Sequence, residues 1–218
     1  AIKLARKYGE TQKGKDCFTI ITLKNSFHGR TITTLSATGQ PVFHEHFTPM
    51  TEGFVYGAAN DIEDIRFLAK THNCCAIMFE LVQGEGGVNP LDRAFVDGLV
   101  EIAKQENLLL IADEVQTGNG RTGSLYAYEQ YGFTPDIVTT AKGLGGGLPI
   151  GATLMGDKVA KLFTPGLNGS TFGGNPVACA GALSILSQIN EKTLALGKQK
   201  SEYIRKELTG AKGIKSVS

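Results

Sequence analysis

A single lysine stands between an apolar run and a cluster of glycines in DIVTTAKGLGGGLPIG, residues 136–151. The stretch is not a phosphate-binding P-loop, because that motif places its glycines before the lysine and a Ser or Thr after it, whereas Gly143 follows Lys142. Nor is it a dinucleotide-binding fingerprint, since Leu148 occupies the position of the third glycine. A lysine at the mouth of a glycine-lined cleft is well suited to act as a reactive amine.

Asp113 is the second unusual charge, because it ends the apolar run LLLIAD and precedes Lys142 by 29 residues (142 − 113). A buried carboxylate needs a partner, since burial alone favours the neutral acid. Two ordinary interpretations stay open: Asp113 caps the following loop, or it forms a buried salt bridge with Lys142. A third is chemical, because pyridoxal phosphate bonds covalently to a lysine and needs an acid beside its ring nitrogen.

The neighbouring residues meet the other needs of that cofactor. Phe27 and Val115 offer flat or apolar walls for the ring, and Gln116 can reach its phenolic oxygen while Asp113 reaches the nitrogen. The glycines after Lys142 let the main chain approach a planar ligand closely. The sequence therefore favours pyridoxal phosphate as the ligand of this site.

Alternating strands and helices must position these residues. This alternation predicts an α/β fold with a mostly parallel sheet flanked by helices, in which ligands bind beyond the carboxyl ends of the strands. The apolar runs predict strands over 18–23, 75–82, 108–115, 135–141 and 150–156. The helical patterns cover 61–71, 92–107 and a region from Pro176 to about 208, with a break near Gly197.

Composition excludes several classes of protein. The net charge of +1 argues against a nucleic-acid binder, and no apolar stretch approaches a membrane span. The four cysteines lack C-x-x-C spacing and are typical of reduced thiols in a cytoplasmic protein. The HEH motif at 44–46 has no companion ligands for a metal.

His28 is expected beside the ligand or in solvent, without a role in proton transfer. Both ends look cut, and GIKSVS at 213–218 reads as the start of a strand.

Four motifs carry a resemblance to a known family. FELVQGEGGV, LIADEVQTGNGRTG, TTAKGLGGGLPIGA and NGSTFGGNPVACAGAL resemble the class III, fold-type I, pyridoxal-phosphate aminotransferases, and most of all their acetylornithine branch. Leu81 stands where relatives usually have a proline, and Leu167 and Asn168 stand where acetylornithine enzymes often carry a histidine. These departures bear on one turn and on substrate choice.

The resemblance implies a role for each cofactor residue. Lys142 would form the Schiff base and then carry the proton between substrate and cofactor, and Asp113 would pair with the pyridine nitrogen. The implied cofactor-binding residues are Phe27, Asp113, Glu114, Val115, Gln116, Lys142 and Thr171.

The resemblance also implies how substrate and subunits are arranged. Arg30 would bind the substrate carboxylate, and Glu85 would help the site accept both substrates. Ser170 would reach toward substrate and Thr171 toward the cofactor phosphate in a neighbouring subunit, so a homodimer with shared active sites is expected.

The reaction implied is amino transfer from N-acetylornithine to 2-oxoglutarate in arginine biosynthesis, with no metal. Residues 1–178 would be an N-terminally truncated cofactor-binding domain, and 179–218 connecting helices toward a small domain outside the chain. Alternatives are a related ω-aminotransferase for ornithine, succinylornithine or 4-aminobutyrate, and a non-catalytic truncated piece. A nucleotide-binding domain is disfavoured by the failed glycine fingerprints.

Overall fold

Six strands form one sheet in the computed structural model, which describes residues 1–214. Their order across the sheet is β2-β1-β3-β6-β7-β8, and all neighbours are parallel except β8, which runs antiparallel to β7. The sheet strands are β1 (Thr19–Leu23), β2 (Phe54–Gly57), β3 (Cys74–Phe79), β6 (Leu109–Asp113), β7 (Ile137–Thr140) and β8 (Ala152–Met155). A separate hairpin pairs β4 (Val82–Gln83) with β5 (Asn89–Pro90).

The central strands are buried on both faces. Every residue of β3 and of β6 is buried, so neither strand alternates between apolar and polar side chains. The predicted α/β fold with a mostly parallel sheet flanked by helices is confirmed. The carboxyl ends of five adjacent parallel strands therefore meet at one edge, where the candidate site lies.

Helices cover the two faces of the sheet. Ile65 and Leu99 bring two helices against Phe79 on one face, and Leu4 brings another against Ile111 on the opposite face. The helices are α1 (Ile2–Gln12), α2 (Ile32–Ala37), α3 (Ile62–Thr71), α4 (Arg93–Gln105), α5 (Asp157–Ala160), α6 (Pro176–Gln188) and α7 (Glu191–Leu208).

Two boundaries differ from the sequence prediction. The predicted break near Gly197 is wrong. The helical region is interrupted between α6 and α7, where the side chain of Asn190 accepts a hydrogen bond from the main-chain N–H of Thr193 at 3.0 Å. This cap starts a new helix, and a glycine inside it costs only about 1 kcal/mol. The strand predicted to reach residue 82 ends at Phe79. The strand start predicted over 213–218 falls mainly on residues outside the described part.

Helix α6 is apolar but largely uncovered. Ala178 and Ala182 are its buried residues, whereas Val177 and Leu183 are 66% and 70% exposed. Across residues 1–214, no helix combines the length and the apolar character needed to span a bilayer.

Candidate active site

Asp113 is held at the carboxyl end of β6 by three donors. Its Oδ1 accepts the hydroxyl of Thr139 at 3.0 Å and the main-chain N–H of Val115 at 3.1 Å, and its Oδ2 accepts Nδ1–H of His28 at 2.7 Å. Asp113 and Thr139 are register partners on β6 and β7, so sheet pairing itself brings their side chains together. The carboxyl group is buried and fixed in orientation.

Of the two positions expected for His28, beside the ligand or in solvent, the structure excludes solvent. Its side chain is fully buried against Asp113, and its Nε2 is buried without a hydrogen-bond partner among the described residues. The main-chain N–H of His28 donates to the hydroxyl of Thr38 at 2.9 Å, which fixes the loop after β1. The only sequence signal for this contact is the adjacency of His28 to Phe27.

Lys142 leaves the sheet immediately beyond the end of β7. It begins the tight 3-10 turn Lys142–Gly145 with a left-handed main chain, φ +46°, and its side chain is exposed. The side-chain amide of Asn119 donates to the hydroxyl of Thr140 at 3.0 Å and to the carbonyl of Ala141 at 3.1 Å. These bonds fix the two residues before Lys142 and so the origin of its side chain.

A cavity of about 780 Å³ opens beside Lys142. Val115, Gln116 and Asn119 line one side of it, and α7 lines the other with Lys198. Val115 and Gln116, which follow β6, therefore share one cavity with the lysine that follows β7.

Gly84 makes room for Gln116. A Cβ atom at residue 84 would lie 1.5 Å from Oε1 of Gln116, so a side chain here would displace that amide. The QGEGG turn and the DEVQ segment thus meet where the absence of a side chain at residue 84 leaves space for the Gln116 amide.

Glu80 is a buried carboxyl group at a strand end, to which the sequence analysis assigned no role. It directly follows β3, is 5% exposed, and its Oε2 accepts the main-chain N–H of Phe27 at 2.9 Å. Burial raises the pKa of Glu80 to about 7, against an ordinary value of 4.5, and the charge of Asp113 also raises it. His28, the Phe27 N–H and Lys142 act in the opposite direction. The four ionisable groups Glu80, His28, Asp113 and Lys142 are therefore electrostatically coupled.

The raised pKa of Glu80 predicts a pH-dependent stability. Between the unfolded value of 4.5 and the folded value of about 7, the native state retains a proton that the unfolded chain has released. The free energy of unfolding should therefore fall as pH rises through this window, by about 2–3 kcal/mol from this group. Urea denaturation at pH 5 and pH 8 should show a smaller fall for Glu80→Gln than for the unaltered chain. An unchanged fall in Glu80→Gln, with exposed Glu101→Gln as control, would contradict the prediction.

Glu114 has a different environment from Asp113. It is fully buried, its Oε1 accepts the main-chain N–H of Tyr128 at 2.9 Å, and its Oε2 accepts the hydroxyl of Thr117. Burial raises the pKa of this carboxyl group, and these hydrogen bonds partly offset the rise. The side chain of Glu114 anchors the loop after β6, and its part in cofactor binding stays a prediction.

Phe27 and Arg30 are stacked in the loop that follows β1. The guanidinium of Arg30 lies 5.3 Å from the ring centre of Phe27 and 4.5 Å from that of Phe43. The two phenylalanine rings meet edge to face at 5.8 Å. These contacts hold the guanidinium of Arg30 against two phenylalanine rings, an arrangement that is suited to binding a carboxylate.

Seven predicted site residues lie outside the cavity lining: Phe27, Arg30, Glu85, Asp113, Glu114, Ser170 and Thr171. Glu85 is exposed in the turn between β4 and β5, and Ser170 and Thr171 are exposed on the loop that precedes α6. Their roles remain predictions.

Comparison with known proteins places the chain in a family. The Aminotransferase class-III pattern matches residues 1–217. The chain is 50% identical over its whole length to the acetylornithine aminotransferase of Haemophilus ducreyi, of which it covers 56%. It is also 50% identical over 197 residues to the succinylornithine transaminase of Salmonella heidelberg, with 90% of this chain and 48% of the relative covered.

Solved structures agree with this relationship. The ornithine aminotransferase of Toxoplasma gondii superposes with a TM-score of 0.90 at 36% identity, over 100% of this chain and 54% of that one. The N-acetylornithine aminotransferase of Stenotrophomonas maltophilia gives 0.76 at 36% identity, over 94% and 48%. The chain spans about half the length of the curated relatives it matches. The sheet, the site and these similarities together show that the chain belongs to the class-III aminotransferases.

Proposed function

We propose that this chain is the cofactor-binding part of an enzyme that moves an amino group from N-acetylornithine to 2-oxoglutarate, giving N-acetylglutamate semialdehyde and glutamate. The observation that carries the proposal is the pair at the ends of β6 and β7. Asp113 is buried and oriented by three donors, and Lys142 emerges from the adjacent strand beside a cavity. A fixed acid and a free amine at neighbouring strand ends suit covalent amine chemistry.

The residues present fit pyridoxal phosphate. Asp113 would hold the ring nitrogen, Gln116 the phenolic oxygen, and Phe27 with Val115 the two ring faces. The cofactor supplies, when bound, an electron sink for the carbon that loses its proton. Lys142 would bind the cofactor through Nζ and later hold the proton that passes between substrate and cofactor. Class-III relatives include a Toxoplasma gondii ornithine aminotransferase described with PLP at its active site.

The substrate side of the proposal depends on fewer contacts. Arg30, oriented by its two aromatic neighbours, would bind a substrate carboxylate, and Glu85 and Ser170 would complete the substrate site. Arginine biosynthesis is the proposed setting, because acetylornithine aminotransferases recur among the relatives. The succinylornithine relatives support an ω-aminotransferase of neighbouring specificity as the second candidate.

A homodimer is part of the same proposal. The uncovered apolar side chains of α6 and Phe172, which is 83% exposed, support an apolar contact with a second copy. Thr171, close to this surface in sequence, would then reach the cofactor phosphate of the partner.

We also propose a cytoplasmic location, and a division of the chain into a cofactor-binding domain of residues 1–178 and connecting helices of residues 179–218. The unpaired, mostly buried thiols support the location.

Trapping of the cofactor on Lys142 tests the function. After incubation with pyridoxal phosphate and borohydride reduction, peptide mass mapping should find one pyridoxyl-phosphate adduct, on Lys142. Exposed lysines such as Lys104 provide the internal control for non-specific labelling. Labelling that is spread evenly over exposed lysines, or absent from Lys142 in a longer polypeptide as well, would overturn the proposal.

A further inference from the structure

Glu80 contacts the loop that carries His28, next to the proposed reaction centre. Its carboxyl group receives the N–H of Phe27, the residue before His28, and it is buried beside the strand end of β3. Because β3 lies directly beside β6, its carboxyl end is adjacent to that of the strand carrying Asp113. Glu80 and Asp113 therefore approach the same loop residues from two neighbouring strands.

His28 directly follows the residue that donates to Glu80 and is itself bonded to Asp113. Its Nδ1–H is committed to Asp113 at 2.7 Å, while Nε2 is buried without a partner among the described residues. The imidazole is completely buried, so water cannot screen the charge of Glu80 from it. A negative charge on Glu80 would polarise the ring and increase the negative potential at Asp113.

We propose that Glu80 is a positioning residue that acts through the buried imidazole of His28 to set how firmly a ring-nitrogen proton is held beside Asp113. The inference rests on the proposed function. When Glu80 is ionised, the Asp113 side of the site carries a second negative charge, which favours a protonated ring nitrogen and a stronger electron sink. When Glu80 is neutral, that contribution disappears and only its bond to Phe27 remains.

The charged groups that face Glu80 determine when it ionises. His28 and Lys142 favour its ionised form, Asp113 disfavours it, and the N–H of Phe27 stabilises the charge. Burial is the largest influence and raises the pKa of Glu80 to about 7 in the presence of these groups. The second charge should therefore appear as pH rises through neutrality.

The test compares Glu80→Gln with the unaltered protein across pH. The amide oxygen of glutamine can still accept the N–H of Phe27, so this variant removes charge while keeping the anchor. We expect kcat/KM of the two proteins to agree below about pH 6 and to differ about 10-fold above about pH 8, the equivalent of one pKa unit. Absorbance of the bound cofactor, followed over the same range, should lose a transition near pH 7 in the variant. Exposed Glu101→Gln is the matched control.

A purely structural role gives a different result. If Glu80 only anchors Phe27, the profiles of Glu80→Gln and of the unaltered protein will run parallel at all pH values. Parallel profiles overturn the proposal.

A second measurement does not depend on transamination. In the cofactor-free protein, carboxyl ¹³C NMR should show Glu80 titrating at about 7. In His28→Asn the titration should move to higher pH, because His28 favours the ionised form. An unmoved titration would show that the two groups are not coupled. Since this result is independent of labelling at Lys142, failure of the proposed function and failure of this inference can be distinguished.

Discussion

Lys142→Ala is expected to lower kcat by at least about 10³-fold, because it removes both the covalent anchor of the cofactor and the group that carries the proton. The fold should survive, because Lys142 is exposed. Alanine and lysine also have about the same conformational free-energy cost in the left-handed backbone at φ +46°. Steady-state assays with N-acetylornithine and 2-oxoglutarate measure the loss. A small primary amine added to the assay should restore part of the rate, because it can replace the missing proton carrier.

The matched control is Lys104→Ala, which removes an equally exposed lysine from α4. Its kcat should stay within about twofold of the unaltered protein. A Lys142→Ala protein that retains more than a tenth of the activity would exclude this lysine as the covalent residue.

Asp113→Asn is expected to lower kcat by about 10²–10³-fold, the usual cost of losing one preorganised electrostatic partner of a reacting group. The neutral amide cannot stabilise a protonated ring nitrogen. It also places an N–H or a weaker acceptor against Nδ1 of His28, which now donates to Oδ2 at 2.7 Å. Where the amide N–H faces Nδ1, the imidazole must change its tautomer or lose this bond.

The spectrum of the bound cofactor and its dissociation constant should report this change together with kcat. Asp97→Asn, an exposed aspartate on α4, is the control and should leave all three quantities unchanged. Full activity in Asp113→Asn would remove the acid from the proposed mechanism.

Local patterns predicted the elements that bear Lys142 and Asp113. Asp113 ends the apolar strand β6, which is buried throughout, and Lys142 follows the short strand β7. The start of α3 has a cap at Asp61, whose side chain accepts the N–H of Asp64. The strand β2 was missed, because FVYG has only four residues, although Gly53 immediately precedes it. The antiparallel direction of β8 is a property of chain routing, which residue type does not reveal.

The contacts around Asp113 could not be predicted in the same way. His28 lies 85 residues from Asp113 in sequence, and their bond exists because the order β1-β3-β6 brings the ends of these strands to one edge. Glu80 received no role from the sequence for a similar reason, since its importance depends on burial and on its neighbours. A single sequence gives residue types at strand ends but gives no distances between them.

The bond from Thr139 to Asp113 joins two partners of the β6–β7 register. A slip of one residue between these strands would turn Thr139 to the opposite face and leave Oδ1 of Asp113 without that donor. The pairing of β7 with β6 in the native register therefore also orients the carboxyl group of Asp113 during folding. A kinetically trapped, misaligned sheet could look native by circular dichroism and yet have no competent acid. Refolding yield for this chain is best judged by cofactor binding, because that signal requires the correct strand alignment.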